Sequence, residues 1–566
     1  MTRCHRRVTQ EWHHGGLAGQ LRRLARLRDT LREHNLHDTH GAGDERPRRP
    51  GPPPAHRSYD GSGYDTHDAD MGAAHTRFDR NVPLDLTFRG PGLMDPSPRE
   101  VSNRLLARTS FQPATTLNVL AAAWIHFQVH DWFSHGRNPR DEPLEVPLAR
   151  DDPWPTRPMR VRRTRPDPAA HTRPAAPGEV RATFENTVTH WWDGSQIYGS
   201  DEATCRSLRT GEDGLMTVLD GRLPVDGLGL DLTGFSDNYW VGLSLLHTLF
   251  VKEHNAVCRM LRRAYPSWGD ERLFQTARLV NAALMAKIHT VEWTPALLDN
   301  RAVRLGMRIN WRGLVGRPFR SEVLGGIPGS PTDHHGVPYS ITEEFVTCYR
   351  MHPLIPDDWR IRSHISGEVV AETDFTPLQG YGTRAVVDEH GWSDLFHTFG
   401  VTHPGAITLH NHPDALRNLR GMFGEHLDLG TVDVLRDRER GVPRYTAFRQ
   451  ALHKPPIHDF ADLSDDPELK EVYEGDIHKI DAMVGMYAEQ PPPGFAFSDT
   501  AFRLFVLMAS RRLKSDPFFS SLYTPEVYTP EGLRWIARSG MADVLRRHHP
   551  ELDPGVRNLF TPWRPL

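Results

Sequence analysis

The sequence predicts a mainly α-helical protein, one large helical body preceded by a short N-terminal arm. Three observations carry this. Apolar residues at helical spacing recur at 115–134, 240–264, 270–298 and 499–515. Strand-like alternation is sparse and short, and no internal repeat of fixed period is found. The chain has 566 residues, ample for a sizeable core.

Residues 1–75 read as the arm. "LAGQLRRLARLRDTLREHN" places Leu17, Leu21, Leu24, Leu27 and Leu31 at helical spacing, with Arg22, Arg23, Arg26, Arg28 and Arg32 over much of the remaining surface. Such a helix, within 16–36, either docks its leucines on the body or makes peripheral contact with an anionic membrane; docking is the commoner use. "GAGDERPRRPGPPPAHRSYDGSG" follows as a flexible or extended linker. The body is taken to run from 76 to 566. Within it, 151–179 is Pro- and Arg-rich and reads as irregular. The two histidines of "GGIPGSPTDHHGVP" read as solvated, because the loop offers no rigid frame for ligands.

Composition excludes several classes. The net charge of -4 gives no global pull toward nucleic acid. The four cysteines, Cys4, Cys205, Cys258 and Cys348, form no CxxC pair, so zinc-ribbon and thioredoxin readings fail. The N-terminus lacks the apolar run of a secretory signal, and no stretch of 18 apolar residues is present. A monomer in the reducing cytoplasm is expected. The 32 histidines invite a search for metal chemistry.

That search begins at "LNVLAAAWIHFQVHDWFSHG". The stretch reads as a helix too apolar for a surface, yet it carries His126, Gln128, His130 and Asp131. His126 and His130 share a face, and Asp131 points about 100° away from His130. His130 is either a hydrogen-bonded core histidine or, with His126, half of a zinc pair, although no HExxH and no third ligand stands out. A buried aspartate needs a cation or several donors. "NTVTHWWDGSQIYGS" offers the oxygens of Thr189, Asp193 and Ser195 on a short turn, with backbone carbonyls between, as a hard cation requires. In "EEFVTCYRMHPLIPD", Tyr349 and His352 sit three apart, one helical face. They are either core residues or an iron-bound histidine holding an oxidisable tyrosine close to a haem.

Together these stretches resemble the haem peroxidase–cyclooxygenase superfamily, and most of all its fatty-acid alpha-dioxygenase branch, familiar from plants and also found in bacteria. The motifs are "AAAWIHFQVHDW", "NTVTHWWDGSQIYGS", "NYWVGLSLLHTLFVKEHNAV", "AKIHTVEWT", "YRMHPLIPD", "DRERGVPRY" and "VLMASRRLKSDPFF", in family order from 121 to 519. The resemblance implies a helical domain around a buried haem b. It makes His130 the distal histidine, His352 the proximal iron ligand and Tyr349 the radical tyrosine. Asp131, Thr189, the Trp191 carbonyl, Asp193 and Ser195 become calcium ligands. His289 and Arg512 become the pair gripping a fatty-acid carboxylate, with the neighbouring Arg511 as the other register.

The sequence departs from the pattern in places. His126 stands on the distal side where the family usually has Gln. Val129 replaces the Asp that esterifies haem in mammalian-type peroxidases, and Ser236 and Tyr239 stand where their distal Arg and ester-forming Glu would be. A non-covalent haem is therefore expected. The resemblance implies that a Tyr349 radical abstracts the C2 hydrogen of a long-chain fatty acid and that O2 adds there. Two other readings remain open: a haem peroxidase of small reductants, and a non-enzymatic haem- or lipid-binding protein.

Overall fold

The computed structural model describes residues 11–39, 54–87, 92–139, 141–165, 167, 183–313, 334–421 and 424–565. It is mostly helical, and its sheets, among the described residues, are four two-stranded antiparallel pairs. The expected helices appear as Val119–Trp132, Val241–Ala264, Asp270–Ile288 and Asp499–Ser515. The two central ones, Val241–Ala264 and Asp270–Ile288, pack on each other, and Pro525–Arg538 lies against both. Lys287 fixes that arrangement. Its ammonium donates to the carbonyls of Ile536 and Ser539 at 2.6 and 2.7 Å, supplying donors where the last turn has none.

The Val119–Trp132 helix is the axis of the site. Asn118 caps it, its side chain accepting from the Ala121 amide at 3.2 Å. Twelve of its residues, from Val119 to Trp132, are buried. A helix apolar nearly all round belongs in a core, so its few polar side chains face sites rather than solvent. The Asp499–Ser515 helix is capped in the same way by Ser498.

The N-terminal helix spans Leu17–His34, with Leu24, Leu27 and Leu31 turned onto Asp499–Ser515 and Arg301–Arg312. Arg22 and Arg26 remain outward. Ahead of it, Trp12 is buried against Phe495 and Phe502 and donates to Asp499 at 2.7 Å. The segment before residue 75 is thus joined to the later helices by buried contacts. Arg57, expected in a linker, is wholly buried between Asp193 and Asp516, and Tyr64 donates to Asp193 at 2.6 Å. These long-range contacts were invisible in a Pro- and Gly-rich stretch whose local signal is only that of a loop.

Other expectations are corrected too. Part of 151–179 is ordered: Met159–Val161 pairs with Leu144–Val146 and builds a small second core with Trp154 and Leu435; residues 168–179 lie outside the described residues. His334 and His335 are part-buried rather than solvated, and His334 meets Asp65 at 3.1 Å. Residues 325–333 of that loop also lie outside the described residues.

Candidate active site

The Val119–Trp132 helix divides its polar residues among three directions. His126 and His130 share one face, with ring centroids 4.6 Å apart and planes at 76°. The His126 Nδ1 accepts from the Trp240 indole at 3.0 Å, which leaves its proton on Nε2. His130 has an enclosed Nδ1 without a partner, and its ring meets Phe235 edge-on at 4.7 Å. Burial pushes both imidazoles well below the usual histidine range, His126 to about 3, and the two histidines' proximity adds to the effect at His130. Both are neutral at physiological pH. His126 and His130 belong to none of the potential metal-ligand clusters among the described residues, so nothing completes a zinc site around the pair.

His352 lies within electrostatic reach of the His126 ring. The expected shared helical face is not what holds Tyr349 and His352 together. The helix Glu343–Cys348 ends at Tyr349, and His352 opens a separate short turn, His352–Leu354. Pro353 sits in the first turn of that new element, where its missing N–H costs nothing. The His352 Nδ1 lies 2.6 Å from Asp433. Burial opposes charge on Asp433, but His352 and Arg350 outweigh it and hold the carboxyl well below its ordinary range. Asp433 thus accepts from Nδ1–H and leaves the His352 Nε2 as a free ligand atom, the outer support that iron-binding histidines require. The buried His412, whose ring nitrogens both lack partners, lies 5.6 Å from His352 between ring centroids. Sequence reasoning missed both residues. Asp433 had a signal: it sits one helical turn before Asp437, the first residue of "DRERGVPRY", and Arg350 bridges the two.

The third direction is the face carrying Trp124 and Trp132. The Trp132 ring meets Tyr349 at 5.3 Å, His289 at 5.0 Å and Trp192 at 4.9 Å. The Arg512 guanidinium lies 4.1 Å from the centroids of both the Trp132 and Trp192 rings. His289 opens a π turn, His289–Trp293, inserted after the long Asp270–Ile288 helix. Such widened turns re-aim side chains at functional sites. Trp124 donates to the His289 Nδ1 at 3.3 Å, so a neutral His289 carries its proton on Nε2. Burial, with Arg512 adding, holds its pKa well below normal.

Arg512 is 1% exposed, and its Nε and Nη2 have no hydrogen-bond partner; Tyr339 is its one side-chain hydrogen-bond neighbour. Among the described residues no carboxylate pairs with it. Arg511 points elsewhere, donating to the carbonyls of Val337 and Pro338 at 2.8 and 2.7 Å, so the register beside His289 is that of Arg512. Burial raises the Tyr349 phenol well above its usual pKa, with Arg512 opposing, and Tyr349 is protonated at neutral pH. Its hydroxyl makes no hydrogen bond among the described residues.

The oxygen loop also assembles. The Ser195 amide donates to Asp131 at 2.5 Å, and Thr189 donates to Asp193 at 2.8 Å. Gly194 adopts φ 70° between them, where a Cβ would lie 2.9 Å from the Tyr198 ring. Trp191 is fixed by its indole on the Gly61 carbonyl at 3.0 Å. Burial pushes Asp131 up to about 7, its Ser195 hydrogen bond opposing and Asp193 adding to the rise. The Ser195 hydroxyl is buried without a partner.

A helical body in which a histidine backed by a carboxylate lies within electrostatic reach of a second, helix-borne histidine fits a haem protein of the peroxidase type. The animal haem peroxidase family model matches residues 56–560. Alpha-dioxygenase 2 of Arabidopsis thaliana is 40% identical over 540 residues, covering 90% of this chain and 84% of the relative. The crystal structure of Oryza sativa fatty acid alpha-dioxygenase superposes with a TM-score of 0.89 at 34% identity, over 98% of this chain and 94% of that one. A variant of that rice enzyme solved with palmitic acid superposes with a TM-score of 0.88. The chain belongs to the animal haem peroxidase family, within its alpha-dioxygenase branch.

Proposed function

We propose that this chain is a haem-dependent fatty-acid alpha-dioxygenase. One observation carries the reading: Arg512, a buried cation with two unpartnered donor atoms and, among the described residues, no carboxylate paired to it, lies against the same Trp132 ring as His289 and Tyr349. A fatty-acid carboxylate supplies the missing charge. Arg512 binds it through parallel N–H groups, and the His289 Nε2–H adds a donor. A peroxidase of small reductants, or a passive haem carrier, gives no reason for that arrangement.

The residues around His352 fit a haem, with Nε2 available to iron and Asp433 orienting the ring. Bound haem would supply the oxidising power that converts Tyr349 to its radical. His130, neutral and enclosed, takes and returns the proton of the activating peroxide. Anchored at its carboxylate, the acyl chain presents C2 to Tyr349, which takes a hydrogen atom from it. O2 adds to the carbon radical, and the peroxyl radical recovers a hydrogen from Tyr349. The product is a 2-hydroperoxy fatty acid.

Calcium belongs to the same reading. Asp131 and Asp193 are two buried carboxylates whose charge Arg57 compensates only at Asp193, and Ser195 holds an unused oxygen beside them. A hard cation held by Asp131, Asp193, Thr189, Ser195 and the Trp191 carbonyl would satisfy them. Product analysis tests the main proposal. With palmitate and haem-loaded protein, 2-hydroperoxypalmitate or its decarboxylation product pentadecanal is expected; oxygenation at a mid-chain carbon would refute the carboxylate grip.

A further inference from the structure

Gln128 is wholly buried, and neither its amide nitrogen nor its amide oxygen has a hydrogen-bond partner. Leaving a primary amide unpaired in a core is unfavourable, and the haem side does not use it, since His130 lies about 160° away around the helix; Asp131, about 60° away, turns to the Ser195 amide. Its direction follows from helix geometry. At about 100° per residue, Gln128 lies about 40° from Trp124 on one side and about 40° from Trp132 on the other. Those two indoles both touch His289, one by a hydrogen bond of 3.3 Å and one ring to ring at 5.0 Å. The Gln128 amide therefore projects between them, into the space where His289 and Arg512 meet the carboxyl end of the substrate.

A carboxylate alone does not satisfy this amide. It only accepts, and it already meets Arg512 and the His289 Nε2–H. A hydroxyl group both donates and accepts, and so pairs with the amide oxygen and the amide nitrogen together. C1 is the carboxyl carbon and C2 must offer its hydrogen to Tyr349, so the first carbon free to carry that hydroxyl is C3. We infer that the site takes 3-hydroxy fatty acids, with Gln128 as the residue that selects them. The inference rests on the alpha-dioxygenase reading. The 3-hydroxy acid loses its C2–H hydrogen to the Tyr349 radical, O2 forms the C2–O bond, and Tyr349 returns a hydrogen to give the 2-hydroperoxy-3-hydroxy acid. Loss of CO2 and water from that product leaves a 2-hydroxy aldehyde one carbon shorter.

The test is O2 uptake by the haem-loaded full chain on palmitate and on racemic 3-hydroxypalmitate, for the parent, Gln128→Leu and Gln128→Met. The ratio of kcat/KM values is internal to each protein, so a partly folded variant does not distort it. In the parent the hydroxy acid is expected to be used at least as well as palmitate, and the ratio is expected to fall at least tenfold in both variants. An unchanged ratio, or a parent that oxygenates palmitate and rejects the hydroxy acid, overturns the inference and leaves the alpha-dioxygenase reading standing. A parent that takes up O2 with neither acid overturns both.

Discussion

A guanidinium enclosed with no carboxylate paired to it costs folding energy, and among the described residues Arg512 is such a group. Its replacement is expected to separate binding from stability. Arg512→Met should raise KM for palmitate by 100-fold or more, because a charge-assisted pair is lost. Its melting temperature should stay within a few degrees of the parent's, since Met keeps contact with the Trp132 and Trp192 rings. Thermal melts beside initial rates check this; a collapsed melting temperature with unchanged KM would make Arg512 structural. Asp131 gives a pH dependence. Its folded pKa of about 7 lies above the ordinary 3.8, so a calcium ion held there, as proposed, would have to displace a proton below pH 7. Calcium affinity is expected to rise about tenfold from pH 6 to pH 8, with proton release, as calorimetry in two buffers of different ionisation enthalpy would show. An affinity flat over that range would remove Asp131 from the ligand set. At this scale the sequence was informative where side-chain chemistry is unusual: two histidines, an aspartate and a glutamine on an apolar helix. It was uninformative about His412, which comes from a distant segment and looks ordinary there, and it offered Asp433 only through its spacing from Asp437.

Helices were legible wherever their apolar period was unbroken, and their ends were set by local chemistry such as the Asn118 and Ser498 caps. The π turn at His289 was not legible, because a one-residue widening leaves the apolar pattern nearly intact. Nor was the break between Tyr349 and His352 legible, because their three-residue spacing suits a continuous helix as well as two separate turns. The N-terminal helix shows why a leucine stripe is ambiguous by itself: the same spacing suits a membrane or a neighbouring helix, and only the partner's surface decides. Leu31 is fully buried in that contact, so Leu31→Ala is expected to cost about 2–5 kcal/mol by denaturant unfolding. A loss below about 0.5 kcal/mol would mean that the helix is only loosely attached.

Across the whole molecule, one indole organises the chemistry. Trp132 touches Tyr349, His289, Trp192 and Arg512, which arrive from four separate stretches of chain. On the proposed reading the same helix carries His130 for the haem side, Asp131 for the oxygen loop and Gln128 for the acyl site, on one rigid frame. Arg57 extends that frame to the segment before residue 75, tying it to Asp193 and Asp516. Fold class and the candidate site residues could be read from motif order, whereas the convergence of Tyr349, His289 and Arg512 on Trp132 is a property of packing that no single stretch contains. The central claim is that the Tyr349 phenol, placed beside a carboxylate grip, carries the hydrogen transfer. It is tested most directly by O2 uptake with palmitate in haem-loaded parent and Tyr349→Phe proteins. The account predicts rapid uptake in the parent and none in the variant, with the haem absorption spectrum of the two unchanged. Uptake of comparable rate in Tyr349→Phe would contradict it.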